Sequence, residues 1–411
     1  MYFRHNPQAT RAAIAFLHIA PCLAAAQTNT LGQTPQMGWN SWNAYKANIN
    51  ESVVIQSAQL LTSLGLKDAG YDYVLVDDGW ADYNRTADGY LQANATSFPG
   101  GIPALADNVH AQGLKLGLYG DSGTLTCAFR PGSWGYEERD AQTLADWGVD
   151  YWKYDNCGGY QAMTEAPQVR FGIMQKALQL VGREILYSVC EWGYQFPWHW
   201  GGAIGHSYRM SGDITNVFAN ETGCPCKTAY CLNTGYASCS VMSIIRKMRE
   251  ISQYQSRGHW MDMDMLEIGN AEMTLYQQQT HFAFWAALKS PLIIGADLSK
   301  LSDDALNVLT NKQMIAINQD LLGQPVHYVQ NASSEGLAQV WAGSVENGYV
   351  VLLLNEKSYP QRLKVDFATL GLQLSGPVNV TELWAERSLG KIRSFSGTLQ
   401  AYQTLVFRLD M

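Results

Sequence analysis

From Met37 to about Leu309 the chain repeats one pattern: a short run of β-branched or aromatic residues, a loop, then apolar residues at helical spacing. The strand runs are Met37–Trp39, Tyr73–Val76, Lys115–Tyr119, Asp150–Tyr154, Ile185–Cys190, Ser207–Arg209, His259–Met261 and Leu292–Ile294. Helical patterns lie between them, as in Val53 to Leu64, Tyr136 to Trp147, Val169 to Val181, Ile244 to Ile251 and Tyr276 to Leu288. Strands alternating with helices form a parallel sheet, and eight is the number that closes into a (β/α)8 TIM barrel. An open doubly wound sheet would carry a Gly-rich phosphate turn after its first strand; Gly38-Trp39-Asn40-Ser41-Trp42 is not one. After Asn318-Gln319-Asp320 come short strand-like runs, such as Ala338 to Ala342, Tyr349 to Leu354, Val378 to Leu383 and Gln403 to Phe407, separated by turn residues. They predict a C-terminal antiparallel β-sandwich. The expected organisation is a signal peptide at 1–26, a catalytic barrel at 27–318 and the sandwich at 319–411.

Apolar residues make up 47% of the chain and charged residues 16%, enough to bury a sizeable core. The formal charge of −8 argues against nucleic acid or an anionic membrane as a partner. A homo-oligomer is compatible with the sequence. At the N-terminus Arg4 and Arg11 precede an apolar run that ends in Ala24-Ala25-Ala26, the form of a cleaved export signal. The run is too short, and too broken by Pro21, to span a bilayer. Glycosylation sequons at Asn50, Asn84, Asn94, Asn220, Asn331 and Asn379 agree with a secreted chain.

In a barrel of this kind chemistry sits at the C-terminal ends of the strands. A carboxylate follows nearly every one: Asp77 and Asp78, Asp121, Asp155, Glu191, Asp213, Asp262 and Asp264, and Asp297. A single acidic loop residue is usually a cap or solvated surface. A ring converging on one mouth is costly by mutual repulsion and suits a polyhydroxylated ligand. No dinucleotide fingerprint, P-loop, His-x-x-x-His pair or EF-type loop is present, so neither cofactor nor metal is expected. Strand alternation puts Lys153 and Asp155 on one face, where the lysine is expected to keep the aspartate ionised. Arg209 and Asp213 likewise share parity, and Asp213 lies two strands from Asp155, so the two aspartates can face each other across the mouth. Glycosyl transfer needs such a pair, one carboxyl to attack the anomeric carbon and one to protonate the leaving oxygen. Spacing alone leaves the roles of the two open.

Cys127 lies just past strand three and Cys157 just past strand four. Neighbouring strands run about 4.8 Å apart, which allows a disulfide between them. Cys224, Cys226, Cys231 and Cys239 crowd one loop, where an exported chain forms two disulfides rather than a zinc knuckle. Cys224 and Cys226 are poorly placed to join each other, leaving two pairings open. Loss of Cys22 with the signal leaves an odd number of cysteines, with Cys190 the candidate free thiol.

At these residues the chain resembles family 27 of the glycoside hydrolases, the α-galactosidases and α-N-acetylgalactosaminidases, and most closely its secreted fungal members. The motifs are Met37-Gly38-Trp39-Asn40-Ser41-Trp42, Val76-Asp77-Asp78-Gly79-Trp80, Lys153-Tyr154-Asp155-Asn156-Cys157, Cys190-Glu191-Trp192 and Asp262-Met263-Asp264-Met265-Leu266. The resemblance implies that Asp155 is the nucleophile and Asp213 the acid/base of a retaining double displacement that removes terminal α-galactose from galacto-oligosaccharides or galactomannan side chains. It implies Trp42 as an aromatic wall, Asp77 and Asp78 as acceptors for O4 and O6, and Tyr119, Lys153 and the Cys127–Cys157 disulfide as pocket lining. It further implies Arg209 near O2 and O3, Asp264 beside the acid/base, and Glu191 with Tyr194 filling the space beside the sugar's 2-position. A bulky pair there favours galactose over N-acetylgalactosamine. The Cys224–Cys239 loop is less common in the family.

Overall fold

Eight of the buried runs become parallel strands: β1 (Met37–Asn40), β2 (Tyr73–Val76), β3 (Lys115–Asp121), β4 (Tyr151–Asp155), β5 (Leu186–Val189), β6 (Ser207–Arg209), β7 (Trp260–Asp262) and β8 (Leu292–Ile294). The computed structural model describes residues 31–158, 163–220, 223, 224, 226, 228–231, 238–270 and 272–410, so the signal peptide expected at 1–26 lies outside it. The strands are hydrogen-bonded in the order β7-β6-β5-β4-β3-β2-β1-β8. The ring closes through the segment after β7, where Leu266 N–H donates to Ile293 O at 2.7 Å and Gly295 N–H donates to Leu266 O at 2.9 Å. Around it stand α1 (Trp42–Tyr45), α2 (Glu51–Ser63), α3 (Gly101–Ala111), α4 (Glu137–Asp146), α5 (Pro167–Leu180), α6 (Val241–Ile251), α7 (Leu275–Ala287), α8 (Asp303–Leu309) and α9 (Lys312–Asn318). Side chains start several of these helices by accepting from orphan N–H groups: Asn50 for α2, Ser240 for α6, Ser302 for α8 and Asn311 for α9, with a Thr274–Gln277 capping box on α7.

Strand parity sorts the barrel into two layers. Tyr73, Leu75, Tyr151, Leu186, Met265 and Ile293 pack together inside it. Trp152 and Tyr154, of opposite parity, join the larger core shared with the helices. β3 and β4 run one or two residues further than their apolar runs, in register Asp121 to Asp155, which makes both aspartates the last residues of their strands.

The C-terminal strands are β9 (His327–Tyr328), β10 (Ala338–Val345), β11 (Gly348–Asn355), β12 (Gln361–Asp366), β13 (Val378–Glu382), β14 (Arg387–Ile392), β15 (Ser394–Leu399) and β16 (Thr404–Asp410). They form a six-stranded antiparallel sheet, β14-β13-β16-β11-β10-β9, and a two-stranded one, β12-β15. Both faces of the larger sheet are covered. Val351, Leu353 and Phe407 belong to the sandwich core, whereas Trp341, Val350, Leu352 and Leu354 pack with the barrel helices. That explains the unbroken apolar run of β11, which an open sheet with one wet face would not show. Phe284 of α7 meets Trp341 edge-on at 5.6 Å, and Thr280 donates to Tyr402 O at 2.7 Å. Among the described residues no helix is long and apolar enough to cross a membrane.

Candidate active site

Asp155 is 5% exposed. Its Oδ2 accepts from the Tyr119 hydroxyl at 2.8 Å, and its Oδ1 accepts from Trp192 Nε1 at 2.9 Å and from the Asn156 N–H at 2.8 Å. Trp192 reaches it from a left-handed turn after β5, with φ at 58°, a conformation that costs free energy in a non-glycine residue and is held here by the buried indole contact. Burial pushes the Asp155 carboxyl up to about 6, against the nearby Lys153 ammonium and the Asn156 N–H, which pull it down.

The expected Lys153–Asp155 pair is not a direct one. Lys153 Nζ donates to Asp77 Oδ2 at 2.7 Å, passing the Tyr119 ring at 5.3 Å. The lysine stem is long enough to cross from β4 over β3 to the end of β2, so its ion-pair partner is two strands away rather than two residues along. It acts on Asp155 only through space. Asp77 also accepts from Asn40 Nδ2 at 2.7 Å. Asp78 accepts from Gly79 N–H at 2.8 Å, the Thr126 hydroxyl at 2.9 Å and Ala128 N–H at 2.7 Å, while burial raises its pKa. Each carboxylate is thus fixed by the protein before any ligand arrives.

Asp213 stands apart in environment. Its side chain is 61% exposed, and Oδ1 accepts from Arg209 Nη2 at 2.8 Å. The same guanidinium nitrogen lies 2.8 Å from Asp264 Oδ2, which also accepts the Ile214 N–H at 2.7 Å. Asp264 adopts a left-handed φ of 76°, so strain again falls at a residue facing the site.

These groups surround one cavity of about 180 Å³. Of the residues singled out from the sequence, Trp42, Asp77, Asp78, Tyr119, Cys127, Lys153, Asp155, Cys157, Arg209, Asp213 and Asp264 line it; Asn43, Trp192 and Met265 line it too. Glu191 and Tyr194 do not. Glu191 is fully buried, and burial pushes its carboxyl well up, with Arg170 as the opposing charge. The ring of acids is therefore incomplete. Asp121 is buried behind the wall, where Gly123 and Gly158 N–H groups donate to it. Asp297 caps a short turn and pairs with Lys300 at 2.8 Å. Asp262 instead lines a smaller cavity with Tyr151, Lys153, Ser188 and Arg209. Trp192 lines the cavity and donates to Asp155, and spacing did not single it out: its motif was legible, but the turn that aims it at Asp155 was not.

Disulfides join Cys127 to Cys157, Cys224 to Cys239 and Cys226 to Cys231, and Cys190 is a buried free thiol. Asp121, Cys127, Asp155 and Cys157 bring four potential metal donors together, but two of them are the disulfide sulfurs, which offer no thiolate.

Two family profiles cover most of the chain: alpha galactosidase A over residues 34–320, and the alpha galactosidase C-terminal beta sandwich domain over 335–409. An alpha-galactosidase of Lachancea cidri is 39% identical over 393 residues, 90% of this chain and 83% of that one. The crystal structure of alpha-galactosidase I from Mortierella vinacea superposes with a TM-score of 0.89 at 38% identity, covering 93% of this chain and 98% of that one. The Saccharomyces cerevisiae alpha-galactosidase structure determined with raffinose gives 0.85 at 32% identity, with the same coverages. With a barrel whose strand ends carry these aspartates, a sandwich behind it and relatives of this closeness over nearly the whole length, the chain belongs to the α-galactosidases of glycoside hydrolase family 27.

Proposed function

We propose that this enzyme removes terminal, non-reducing α-galactose with retention of configuration, Asp155 acting as nucleophile and Asp213 as acid/base. The observation that carries the reading is the contrast between the two carboxylates on one cavity. Asp155 is buried and held by three donors, whereas Asp213 is exposed to solvent. A nucleophile must be fixed beneath the anomeric carbon, and an acid/base must reach both the leaving oxygen and incoming water. In the first step an Asp155 oxygen bonds to the anomeric carbon as the C–O bond breaks, and the Asp213 proton goes to the departing oxygen. In the second, Asp213 takes a proton from water, which displaces Asp155. Asp77 and Asp78 supply fixed acceptors for O4 and O6, so an epimer that left them unpaired would bind poorly.

The raffinose bound by the S. cerevisiae relative supports galacto-oligosaccharides as substrates, and galactomannan side chains offer the same terminal unit. Export by the 1–26 segment agrees with the sequons. Asn84, Asn220, Asn331 and Asn379 are exposed. Asn50 caps α2 through its oxygen, leaving its nitrogen available for a glycan.

Proton NMR of early hydrolysis of an aryl α-galactoside tests the mechanism: α-galactose is expected as the first product, and β-galactose appearing first would exclude double displacement. The pH profile is a second test. Asp155 attacks only when ionised, and its folded pKa is raised to about 6 by burial. The kcat/KM of the free enzyme is therefore expected to fall tenfold per unit as pH drops below about 6. A limb that bends near 4 instead would mean that burial does not control this carboxyl.

A further inference from the structure

Lys247 points inward from α6 and is only 2% exposed. Among the described residues its ammonium forms no ion pair. It donates to the Ser211 hydroxyl at 2.8 Å and faces the sulfurs of the Cys224–Cys239 disulfide, at 3.2 Å from Cys224 and 3.7 Å from Cys239. Burial, with the Arg209 guanidinium nearby, lowers its pKa to about 8. A methionine would fill the same space without the cost of burying a charge. The amine therefore sits where packing alone does not require one.

What it touches leads to Asp213 by two routes. Along the first, the Ser211 carbonyl accepts from Arg209 Nη2 at 3.2 Å, the nitrogen that holds Asp213 Oδ1 at 2.8 Å. Along the second, Cys239 N–H donates to the Asp213 carbonyl at 2.6 Å, and Thr215 N–H donates back to Cys239 O at 2.9 Å. The 211–215 segment is thus gripped at Ser211 by the lysine and from Asp213 to Thr215 by Cys239. Lys247 and the disulfide tie the two grips together.

We propose that Lys247 is a positioning residue for the acid/base: with Ser211 and the Cys224–Cys239 disulfide it clamps the 211–215 segment so that Asp213 meets the glycosidic oxygen. The proposal rests on the acid/base role of Asp213 given above. It locates on α6, outside the cavity, a determinant of proton transfer rather than of sugar binding.

The consequence depends on the leaving group. A sugar hydroxyl departs only with a proton, whereas 2,4-dinitrophenolate departs without one. A small displacement of a catalytic group can cost on the order of 10²-fold. For Lys247→Met, kcat/KM on melibiose is accordingly expected to fall about 10- to 50-fold, while kcat/KM on 2,4-dinitrophenyl α-galactoside stays within about twofold. Ser211→Ala, which leaves the lysine in place, is expected to show the same split at smaller size and carries the test if Lys247→Met does not fold. Equal losses on both substrates, or no loss on either, overturn the proposal. Asp213→Ala is measured beside them as the limiting case. A split there with none in Lys247→Met or Ser211→Ala rejects the clamp alone, and no split in Asp213→Ala rejects the acid/base reading and the clamp with it.

Discussion

Replacing Asp155 with Asn is expected to lower kcat by on the order of 10⁵-fold, and at neutral pH to make the protein more stable. The first effect follows from chemistry: an amide oxygen in that position cannot form the galactosyl ester, and no other carboxylate is held at the same point by Tyr119, Trp192 and Asn156. The second follows from linkage. Asp155 titrates at about 6 in the fold because burial penalises its charge, against about 3.9 for an unfolded aspartate. Between those values the native state binds the proton and the unfolded state does not, so stability falls as pH rises, and by pH 7 the whole cost is present. Asparagine keeps the shape and two of the acceptor contacts without the charge. A gain on the order of 1–3 kcal/mol is expected at pH 7 and none at about pH 3 and below. Thermal unfolding at the two pH values, beside residual activity, checks both halves. An active variant would remove Asp155 from the mechanism, and an equally stable one would show that the carboxylate is better solvated than its 5% exposure implies.

Asp213→Ala should lose about 10³-fold on melibiose, within the range that a general acid contributes. With 2,4-dinitrophenyl α-galactoside the first step is spared, and the galactosyl-enzyme then accumulates because no base activates water. Azide needs no base. It is expected to restore turnover and to yield α-galactosyl azide, since it attacks from the side the leaving group vacated and displaces Asp155. The product is identified by NMR. β-Galactosyl azide, or no rescue at all, would contradict the assignment of Asp213. The position of this residue makes the experiment practicable, because its side chain is 61% exposed and its removal opens the site to a small anion.

Much of the architecture was legible because barrel strands are short apolar runs between turns, and three of the eight, at Tyr73–Val76, Ser207–Arg209 and Leu292–Ile294, have the bounds that composition suggests. The ends of β3 and β4 were not legible. Pairing between Asp121 and Asp155 extends both strands, and neighbouring-strand register is invisible in either segment alone. The site shows the same division. Parity placed Asp155 and Lys153 on one face, but parity stops at the end of a strand. Past β5 the left-handed turn at Trp192 sends the indole into the cavity and leaves Glu191 behind the wall. The ion-pair partner of Lys153 was not legible for a related reason. A lysine stem spans strands, so adjacency along the sequence is a poor guide to which carboxylate it meets.

Cys127 and Cys157 belong to different loops, yet both stand in the wall of the cavity that Asp155 and Asp78 line. The pocket is therefore completed by an oxidation and not by folding alone. A chain held in a reducing compartment could assemble its barrel and still lack a finished cradle. Completion of the cavity wall is tied in this way to conditions under which thiols are oxidised, which the folding of the barrel does not itself supply.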